Sequence, residues 1–278
     1  MYIESINLKN IYPILGENEK DPVLDVYLPY NMKEMHRENQ KRPCLVICPG
    51  GAYLFCSERE QEPVALKFLP FGYNVFVINY STHPNIFPSQ IIEVAAVFDL
   101  IHKNADIWNC DTERIALLGF SAGGHLAAHY SNAYNCDEVK EVFENPKKPA
   151  ASVLCYPVIT TDDRYSHKGS FRYLLGHDPS EEEKLKFSCE RLVSADTPPT
   201  FLWHTAKDEN VPVQNSLLYA MSLADFGVDY ELHIYPYGRH GMSTSDLETN
   251  DEIGKEEIGN AEWVKSANNW LNIIFNKS

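Results

Sequence analysis

The sequence predicts one α/β domain, residues 1–278, with a mostly parallel sheet of eight strands and helices on both faces. Two observations lead to this fold class. Apolar runs of strand length alternate along the chain with segments of helical periodicity, and such alternation calls for parallel strands joined by right-handed crossovers. The chain is also long enough, at 278 residues with 44% hydrophobic side chains, to bury a sizeable core without disulfides or metals.

Eight segments have the pattern of β-strands. The first two alternate apolar and polar residues and are predicted to open the sheet as an antiparallel pair, separated by the turn-rich stretch Gly16-Glu17-Asn18. Most of the others are continuous apolar runs, as expected of strands buried on both faces. The predicted strands cover residues 2–8, 23–28, 44–48, 74–80, 115–118, 152–157, 200–204 and 230–235.

Segments with helical periodicity fill the intervals between strands. Ser57 followed by acidic residues predicts a helix start, and residues 89–103 and 213–226 predict two further helices. Residues 159–196 do not follow this alternation of strand and helix segments. An excursion of that length predicts a small, partly helical cap over the functional site, with a solvated surface insertion as the alternative.

The motif G-x-S-x-G occupies residues 119–123, between a short apolar run and a segment of small, helix-forming residues. This context predicts a sharp strand-to-helix turn that exposes the hydroxyl of Ser121 as a nucleophile. The same turn places the backbone N–H of Ala122 at a helix N-terminus, where it stabilises an oxyanion. An ordinary glycine-rich turn with a surface serine is the alternative.

Two further residues complete a catalytic constellation. Asp208 follows the predicted strand at 200–204, and His240 follows the one at 230–235. The order Ser…Asp…His along the chain, with each residue after a strand, predicts a triad at the carboxyl edge of one sheet. In this triad His240 is the general base for Ser121, and Asp208 orients the imidazole.

The loop after the third predicted strand, P-G-G-A-Y at residues 49–53, is expected to supply the second oxyanion donor. Glycines let the main chain turn sharply and aim its N–H groups outward, so either Gly51 or Ala52 is the predicted donor. Tyr53 and Tyr80 lie near strand ends and are candidates to line the substrate pocket. A structural role for both tyrosines is the alternative.

Nine other histidines compete with His240 for the role of general base. His204 lies within a predicted strand and is expected to be a hydrogen-bonded core residue. His125 comes early on the helix after the serine, where packing or a hydrogen bond is expected rather than catalysis.

Five motifs together resemble bacterial α/β-hydrolase esterases of the acetyl-xylan-esterase-like group, over nearly the whole chain from about residue 23. They are I-C-P-G-G-A-Y at 47–53, S-E-R-E-Q-E-P at 57–63, G-F-S-A-G-G-H at 119–125, T-P-P-T-F-L-W-H at 197–204 and D-E-N-V-P at 208–212. The resemblance implies the α/β-hydrolase fold. It also implies a carboxylic ester hydrolase that needs no cofactor and acts on small acyl esters, with acetylated sugars or xylooligosaccharides as expected substrates.

Charge and composition disfavour several classes of partner. The formal net charge of −15 disfavours nucleic acid and anionic membranes, because both would repel the protein. There is no basic and apolar leader, no run long enough to span a bilayer and no paired spacing among the seven cysteines, so we expect a cytoplasmic protein with free thiols. Without a nucleotide-binding loop or metal-ligand spacing, we expect neither a cofactor nor a metal. The oligomeric state stays open, with a homodimer through an edge strand or the cap as the alternative to a monomer.

The predicted function is a serine esterase that deacetylates small or carbohydrate esters through an acyl-enzyme. A serine amidase or peptidase with the same triad is one alternative. The other is a non-catalytic binding module that keeps the fold. The presence of all three triad residues favours an enzyme over a binding module.

Overall fold

The computed structural model of the protein describes residues 1–16 and 21–277. Glu17 and Asn18 of the predicted turn lie outside these residues. The strands are β1 (Tyr2–Asn7), β2 (Val23–Leu28), β3 (Arg42–Cys48), β4 (Asn74–Asn79), β5 (Cys110–Phe120), β6 (Ala151–Cys155), β7 (Thr200–Thr205) and β8 (Tyr230–Tyr235). All eight predicted strands are therefore present.

The strands form one sheet in the order β1-β2-β4-β3-β5-β6-β7-β8. β1 pairs antiparallel with β2, and β2 pairs antiparallel with β4, whereas all other neighbours are parallel. The mostly parallel sheet with an antiparallel opening is therefore confirmed. Because parallel strands bring their carboxyl ends to one edge, the loops after β3, β5, β7 and β8 converge there.

The helices flank this sheet and agree with the prediction best where they are long. They are α1 (Leu8–Ile11), α2 (Glu62–Phe68), α3 (Ser89–Lys103), α4 (Ser121–Ala133), α5 (Asp137–Lys140), α6 (Lys168–Leu175), α7 (Glu181–Phe187), α8 (Cys189–Leu192), α9 (Gln214–Asp225) and α10 (Trp263–Phe275). α3 has the predicted bounds, and α9 is one residue shorter at each end. Within residues 1–16 and 21–277, no helix combines the length and the apolarity needed to cross a membrane.

The helix predicted to start at Ser57 begins later. A short 3₁₀ turn covers Glu58–Glu60, and α2 follows from Glu62. Ser57 makes no side-chain capping hydrogen bond, and the backbone of Gln61 (φ −109°, ψ −112°) is not helical, so it separates the two elements. This break leaves the side chain of Glu60 buried in the domain rather than on an exposed helix.

Side chains of the central strands alternate between two hydrophobic cores. In β3, Val46 faces the core that includes side chains of α3, α4 and α9, whereas Leu45 and Ile47 face the core that includes α2 and α10. Successive residues of a strand point to opposite faces, so a continuous apolar run fills both cores. Helices therefore cover both faces of the sheet, as predicted.

The segment 159–196 contains α6, α7 and α8 and packs against the rest of the domain. Phe171 and Phe187 are buried in the core on the α4 side of the sheet. The N–H of Phe87 donates to the carbonyl of Leu174 at 2.8 Å. The segment is thus partly helical and packed, and its role as a cap over the substrate stays a prediction.

The turn between β5 and α4 is tightly packed. A Cβ at Gly119 would lie 2.2 Å from the carbonyl oxygen of Gly123, and a Cβ at Gly123 would lie 2.2 Å from the carbonyl oxygens of Cys48 and Pro49. Both distances are far below van der Waals contact, so these two positions require glycine. The close approach fixes the first turn of α4 against the end of β3.

We expect Gly123→Ala to destabilise the protein by about 3 kcal/mol, because the added methyl group must displace backbone atoms rather than a flexible side chain. Urea unfolding at neutral pH measures the change in the free energy of unfolding. Gly259→Ala is the matched control, since no described atom lies within 4 Å of a Cβ built there. The control should change stability by less than about 0.5 kcal/mol. Equal stability of the two variants would contradict the close contact.

Candidate active site

Ser121 lies at the sharp turn between β5, which ends at Phe120, and α4, which Ser121 begins. Its φ of +52° is in the left-handed region. Such a conformation costs a non-glycine residue about 1 kcal/mol or more, and it persists only where the surrounding packing maintains it. The sharp strand-to-helix turn predicted from G-x-S-x-G is present and holds Ser121 at the carboxyl edge of the sheet.

Two hydrogen bonds join the three residues predicted as a triad. The Oγ of Ser121 lies 2.8 Å from Nε2 of His240, and Nδ1 of His240 lies 2.6 Å from Oδ2 of Asp208. Because a carboxylate only accepts, Nδ1 carries the proton and Nε2 is free to accept the serine proton. The structure thus brings together three side chains from the loops after β5, β7 and β8.

Asp208 is buried and held by several donors. Its Oδ1 accepts the N–H groups of Asn210 (3.0 Å) and Val211 (2.9 Å), and Nε2 of His204 lies 3.3 Å from its Oδ2. Burial by itself would raise the pKa of Asp208, but the hydrogen bonds from His204, His240 and the backbone lower it well below its ordinary value. Asp208 therefore faces the imidazole as a carboxylate.

His204 supports Asp208 from the end of β7. It is fully buried, with Nδ1 bonded to the hydroxyl of Ser216 (2.8 Å) and Nε2 to the carbonyl of Val211 (2.9 Å). The expectation of a hydrogen-bonded core histidine is confirmed. Its contact with Asp208 was not part of that expectation, although the spacing of four residues between them is a local signal for it.

The loop after β3 carries the residues predicted as oxyanion donors. Gly51 and Ala52 have φ values of +122° and +56°, and no described residue accepts a hydrogen bond from the N–H of either. The N–H of Gly50 is engaged, because it donates to Oε2 of Glu60 at 2.7 Å. Ala122 lies in the first turn of α4, where N–H groups lack an intrahelical acceptor. Gly51 and Ala52 both remain candidates, whereas Gly50 does not.

Tyr53 and Tyr80 are almost fully buried, and their place in the lining of the substrate pocket stays a prediction. They are only 1% and 3% exposed. The hydroxyl of Tyr53 donates to Nδ1 of His125 at 2.8 Å, and the hydroxyl of Tyr80 donates to the carbonyl of Pro49 at 2.8 Å. Because their hydroxyls are engaged in this way, both tyrosines support the loop after β3, and Tyr80 also borders a cavity beside that loop.

His125 connects that loop to the segment 159–196. Its Nε2 donates to the carbonyl of Phe187 at 2.9 Å, while its Nδ1 accepts the hydroxyl of Tyr53. One donor and one acceptor nitrogen define the neutral imidazole. Burial lowers the pKa of His125 to about 4 and that of the stacked His129 to about 3. The predicted structural role of His125 is confirmed.

Glu60 is a residue whose place in the site the sequence pattern did not indicate. The pattern predicts it as one of several acidic residues in the first turn of a helix. The structure instead buries it beside Gly50, with its Oε1 accepting the hydroxyl of Tyr156 at 2.6 Å. The sequence around an acidic residue does not show whether it is buried when its hydrogen-bond partners come from distant segments of the chain.

In the part of the chain that the structure describes, no group of three or more histidine, cysteine, aspartate or glutamate side chains is arranged so that it could hold a metal ion. All seven cysteines are free thiols. Five of them, at positions 44, 48, 110, 155 and 189, are buried.

The fold and the site define the class of protein. A mostly parallel eight-stranded sheet, with a nucleophile turn after β5, an acid after β7 and a histidine after β8, is the architecture of an α/β hydrolase. The chain belongs to the BD-FAE family, whose sequence profile matches residues 24–223. The resemblance inferred from the motifs is confirmed.

Individual relatives agree with this assignment. The chain is 36% identical over 232 residues to endo-1,4-beta-xylanase B of Butyrivibrio fibrisolvens, an alignment covering 80% of this chain and 36% of that protein. It is 31% identical over 235 residues to an acetylxylan esterase of Xylanibacter ruminicola, covering 82% of this chain and 46% of the relative. The chain thus spans about a third to a half of the length of these curated relatives. The crystal structure of an acetyl ester-xyloside bifunctional hydrolase from Caldicellulosiruptor lactoaceticus superposes with a TM-score of 0.83 at 35% identity, covering 98% of this chain and 96% of that one.

We expect Asp208→Asn to slow the acylation of Ser121 by p-nitrophenyl acetate by about ten-thousandfold. The amide would stabilise the wrong tautomer of His240, and it cannot offset the charge of the imidazolium. Stopped-flow release of p-nitrophenol measures the rate. The exposed neighbour provides the control: Glu209→Gln should keep the rate within about twofold. A similar loss in both variants would assign the effect to the loop and not to the acid.

We expect the free energy of unfolding to fall as the pH is lowered from about 6.5 toward 4. In this window the unfolded chain binds a proton at His125 while the folded protein, where burial lowers the pKa of His125 to about 4, does not. Stability therefore rises with pH, and the contribution of this one residue is at most about 3 kcal/mol.

Urea unfolding of the wild type and of His125→Gln at a series of pH values isolates this contribution. The comparison is needed because burial raises the pKa of Glu93 to about 7, which gives the opposite slope in part of the window. The variant should show the shallower loss of stability on acidification. Identical slopes would mean that His125 titrates in the folded protein as it does in the unfolded chain.

Proposed function

We propose that this chain hydrolyses carboxylic esters through an acyl-enzyme formed on Ser121. The hydrogen-bonded chain from Ser121 through His240 to Asp208 carries the proposal. His240 accepts the hydroxyl proton as Oγ attacks the ester carbonyl, and it then returns that proton to the leaving alcohol. A water molecule, deprotonated by the same imidazole, attacks the acyl-enzyme and releases the acid. Asp208 holds the tautomer that both steps require.

The oxyanion of each tetrahedral intermediate is stabilised by the N–H of Ala122 and by that of Gly51 or Ala52. The left-handed φ values of Gly51 and Ala52 and the absence of an acceptor for their N–H groups among the described residues support this assignment. Both segments flank Ser121. Such donors contribute strongly to catalysis, since removing one typically lowers kcat by about a hundred- to a thousandfold.

The proposed substrate is a small acetyl ester of a sugar. An acetylxylan esterase and an acetyl ester-xyloside bifunctional hydrolase are among the similar proteins. A cavity of about 650 Å³ borders the loop after β3, and Phe55, Tyr80 and Arg59 are among its lining residues. Support for an acetylated sugar therefore comes from the similar proteins.

The test compares the wild type and Ser121→Ala on p-nitrophenyl acetate, p-nitrophenyl butyrate, acetylated xylooligosaccharides and an N-acetylamino-acid anilide. We expect the variant to lose about ten-thousandfold or more of the ester turnover, because no other nucleophile is held at the turn. We also expect the acetylated oligosaccharides to be deacetylated more efficiently than the butyrate is hydrolysed.

Other outcomes of the same experiment separate the alternatives. Ser121-dependent turnover of the anilide at a rate above that of the esters would replace the esterase by an amidase or peptidase. Turnover of the two p-nitrophenyl esters without the sugar esters would reject the carbohydrate substrate and leave an esterase. Equal rates for the wild type and Ser121→Ala would leave the non-catalytic binding module as the function. A homodimeric assembly and a cytoplasmic location stay predictions.

A further inference from the structure

Glu60 is a buried acid beside the nucleophile that the mechanism above does not use. It ends the 3₁₀ turn Glu58–Glu60 and is 3% exposed. Its Oε2 accepts the N–H of Gly50 at 2.7 Å, and its Oε1 accepts the hydroxyl of Tyr156 at 2.6 Å. A Cβ built on Gly50 would lie 2.6 Å from that Oε2 and 3.0 Å from the Cβ of Ser121, so one glycine separates the acid from the nucleophile.

The hydrogen bonds around Glu60 fit a carboxylate. The N–H of Ser243 donates to the hydroxyl oxygen of Tyr156 at 2.9 Å, which leaves the hydroxyl proton of Tyr156 for Oε1 of Glu60. Oε2 faces the backbone N–H of Gly50, and an N–H only donates. Both carboxyl oxygens are therefore acceptors, which is the pattern of the ionised form, and both hydrogen bonds are charge-assisted.

The same bonds join the loop after β3 to the loop that carries His240. Tyr156 follows β6, and its ring packs edge-on against the imidazole of His240 with the ring centroids 5.1 Å apart. Ser243, on the loop of His240, bonds to Tyr156 through its N–H and donates its hydroxyl to the carbonyl of Arg59 at 2.5 Å. A closed set of contacts thus connects the oxyanion donors, Glu60 and the general base.

We propose that Glu60 is a positioning residue for ester hydrolysis, a role that rests on the function proposed above. Through Gly50 it holds the main chain that precedes the oxyanion donors, and through Tyr156 it holds the imidazole of His240. Its negative charge also faces the imidazolium that forms when the serine attacks. Preorganised charge of this kind stabilises the transition state without having to reorient during the reaction.

Other titratable groups share this environment. Those that face Glu60 are Arg59, Tyr80, Cys155, Tyr156 and His240. Those that face His240 are Glu60, Tyr156, His167 and Asp208. Burial raises the pKa of Glu60, while the hydrogen bonds that it accepts and the neighbouring positive charges oppose that rise. Asp208 contacts the imidazole directly, so Glu60 is a second acid that acts on it from the opposite loop.

The test compares Glu60→Gln with Glu93→Gln, two isosteric changes of buried glutamates. Glu93 lies in α3, is fully buried and accepts the N–H of Ser81 at 2.7 Å. Its variant therefore reports the general effect of replacing a buried glutamate by the isosteric amide. Two rates are measured in each protein from about pH 5 to 9: the labelling of Ser121 by a fluorophosphonate probe and the hydrolysis of p-nitrophenyl acetate.

We expect Glu60→Gln to slow both rates by about ten- to a hundredfold, with the KM for p-nitrophenyl acetate changing less than about threefold. The acidic limb of both pH profiles should move to lower pH by about half a unit, because the imidazolium loses a stabilising negative charge. Tyr156→Phe keeps the charge of Glu60 but removes the hydrogen bond between the two side chains. It should therefore slow both rates without moving the acidic limb of the pH profiles. Glu93→Gln should keep both rates within about twofold.

The proposal is wrong if Glu60→Gln folds, as judged by thermal unfolding, and labels Ser121 at the wild-type rate with the wild-type pH profile. If Glu60→Gln does not fold, Tyr156→Phe provides the test, because this substitution removes the hydrogen bond through which Glu60 positions His240. A wild-type labelling rate in Tyr156→Phe would contradict the proposal. Failure of the proposed function is recognised separately. In that case the wild type would label at Ser121 but turn over no ester, and the labelling rates alone would decide the role of Glu60.

Discussion

The contact between the first turn of α4 and the carboxyl ends of β3 and β5 is the constraint on which the site depends. Gly123 brings the helix backbone against the carbonyls of Cys48 and Pro49, so the turn that carries Ser121 and the loop after β3 share one packed surface. The left-handed φ of Ser121 persists because this packing maintains it. A looser contact would shift the serine relative to the N–H groups proposed as oxyanion donors, and in an enzyme a displacement of about 1 Å costs about a hundredfold in rate.

Buried polar side chains hold the loops at the carboxyl edge of the sheet in place. Strand pairing brings the functional loops to one edge, but the loops themselves are irregular and need partners of their own. His204 fixes Asp208, and His125 joins Tyr53 to the segment 159–196. Each of these contacts pairs donors with acceptors away from water, where an unpaired group would be costly. The geometry of the site therefore depends on these buried polar side chains as well as on the three residues of the predicted triad.

Local patterns predict the fold and the hydrogen-bonded chain of serine, histidine and aspartate because each signal lies within a few residues. Apolar runs mark the eight strands, and G-x-S-x-G with its flanking segments marks Ser121. β5 begins earlier than predicted, at Cys110, because its polar stretch at residues 111–114 lacks the apolar pattern of a central strand. The surroundings of Glu60 and Tyr53 are not predictable in this way, since the partners that bury them lie 96 and 72 residues further along the chain.

The position of β5 inside the sheet has a dynamic consequence. Its neighbours β3 and β6 bond to it on both sides, and helices cover both faces. Amide hydrogens in such a strand exchange with solvent when the whole domain opens, whereas those of the surrounding loops exchange through small local openings. Ser121 thus follows directly on a strand whose amide hydrogens are expected to exchange slowly. The amide hydrogens of the loops beside it are expected to exchange faster. Local opening of those loops can therefore leave the position of Ser121 unchanged.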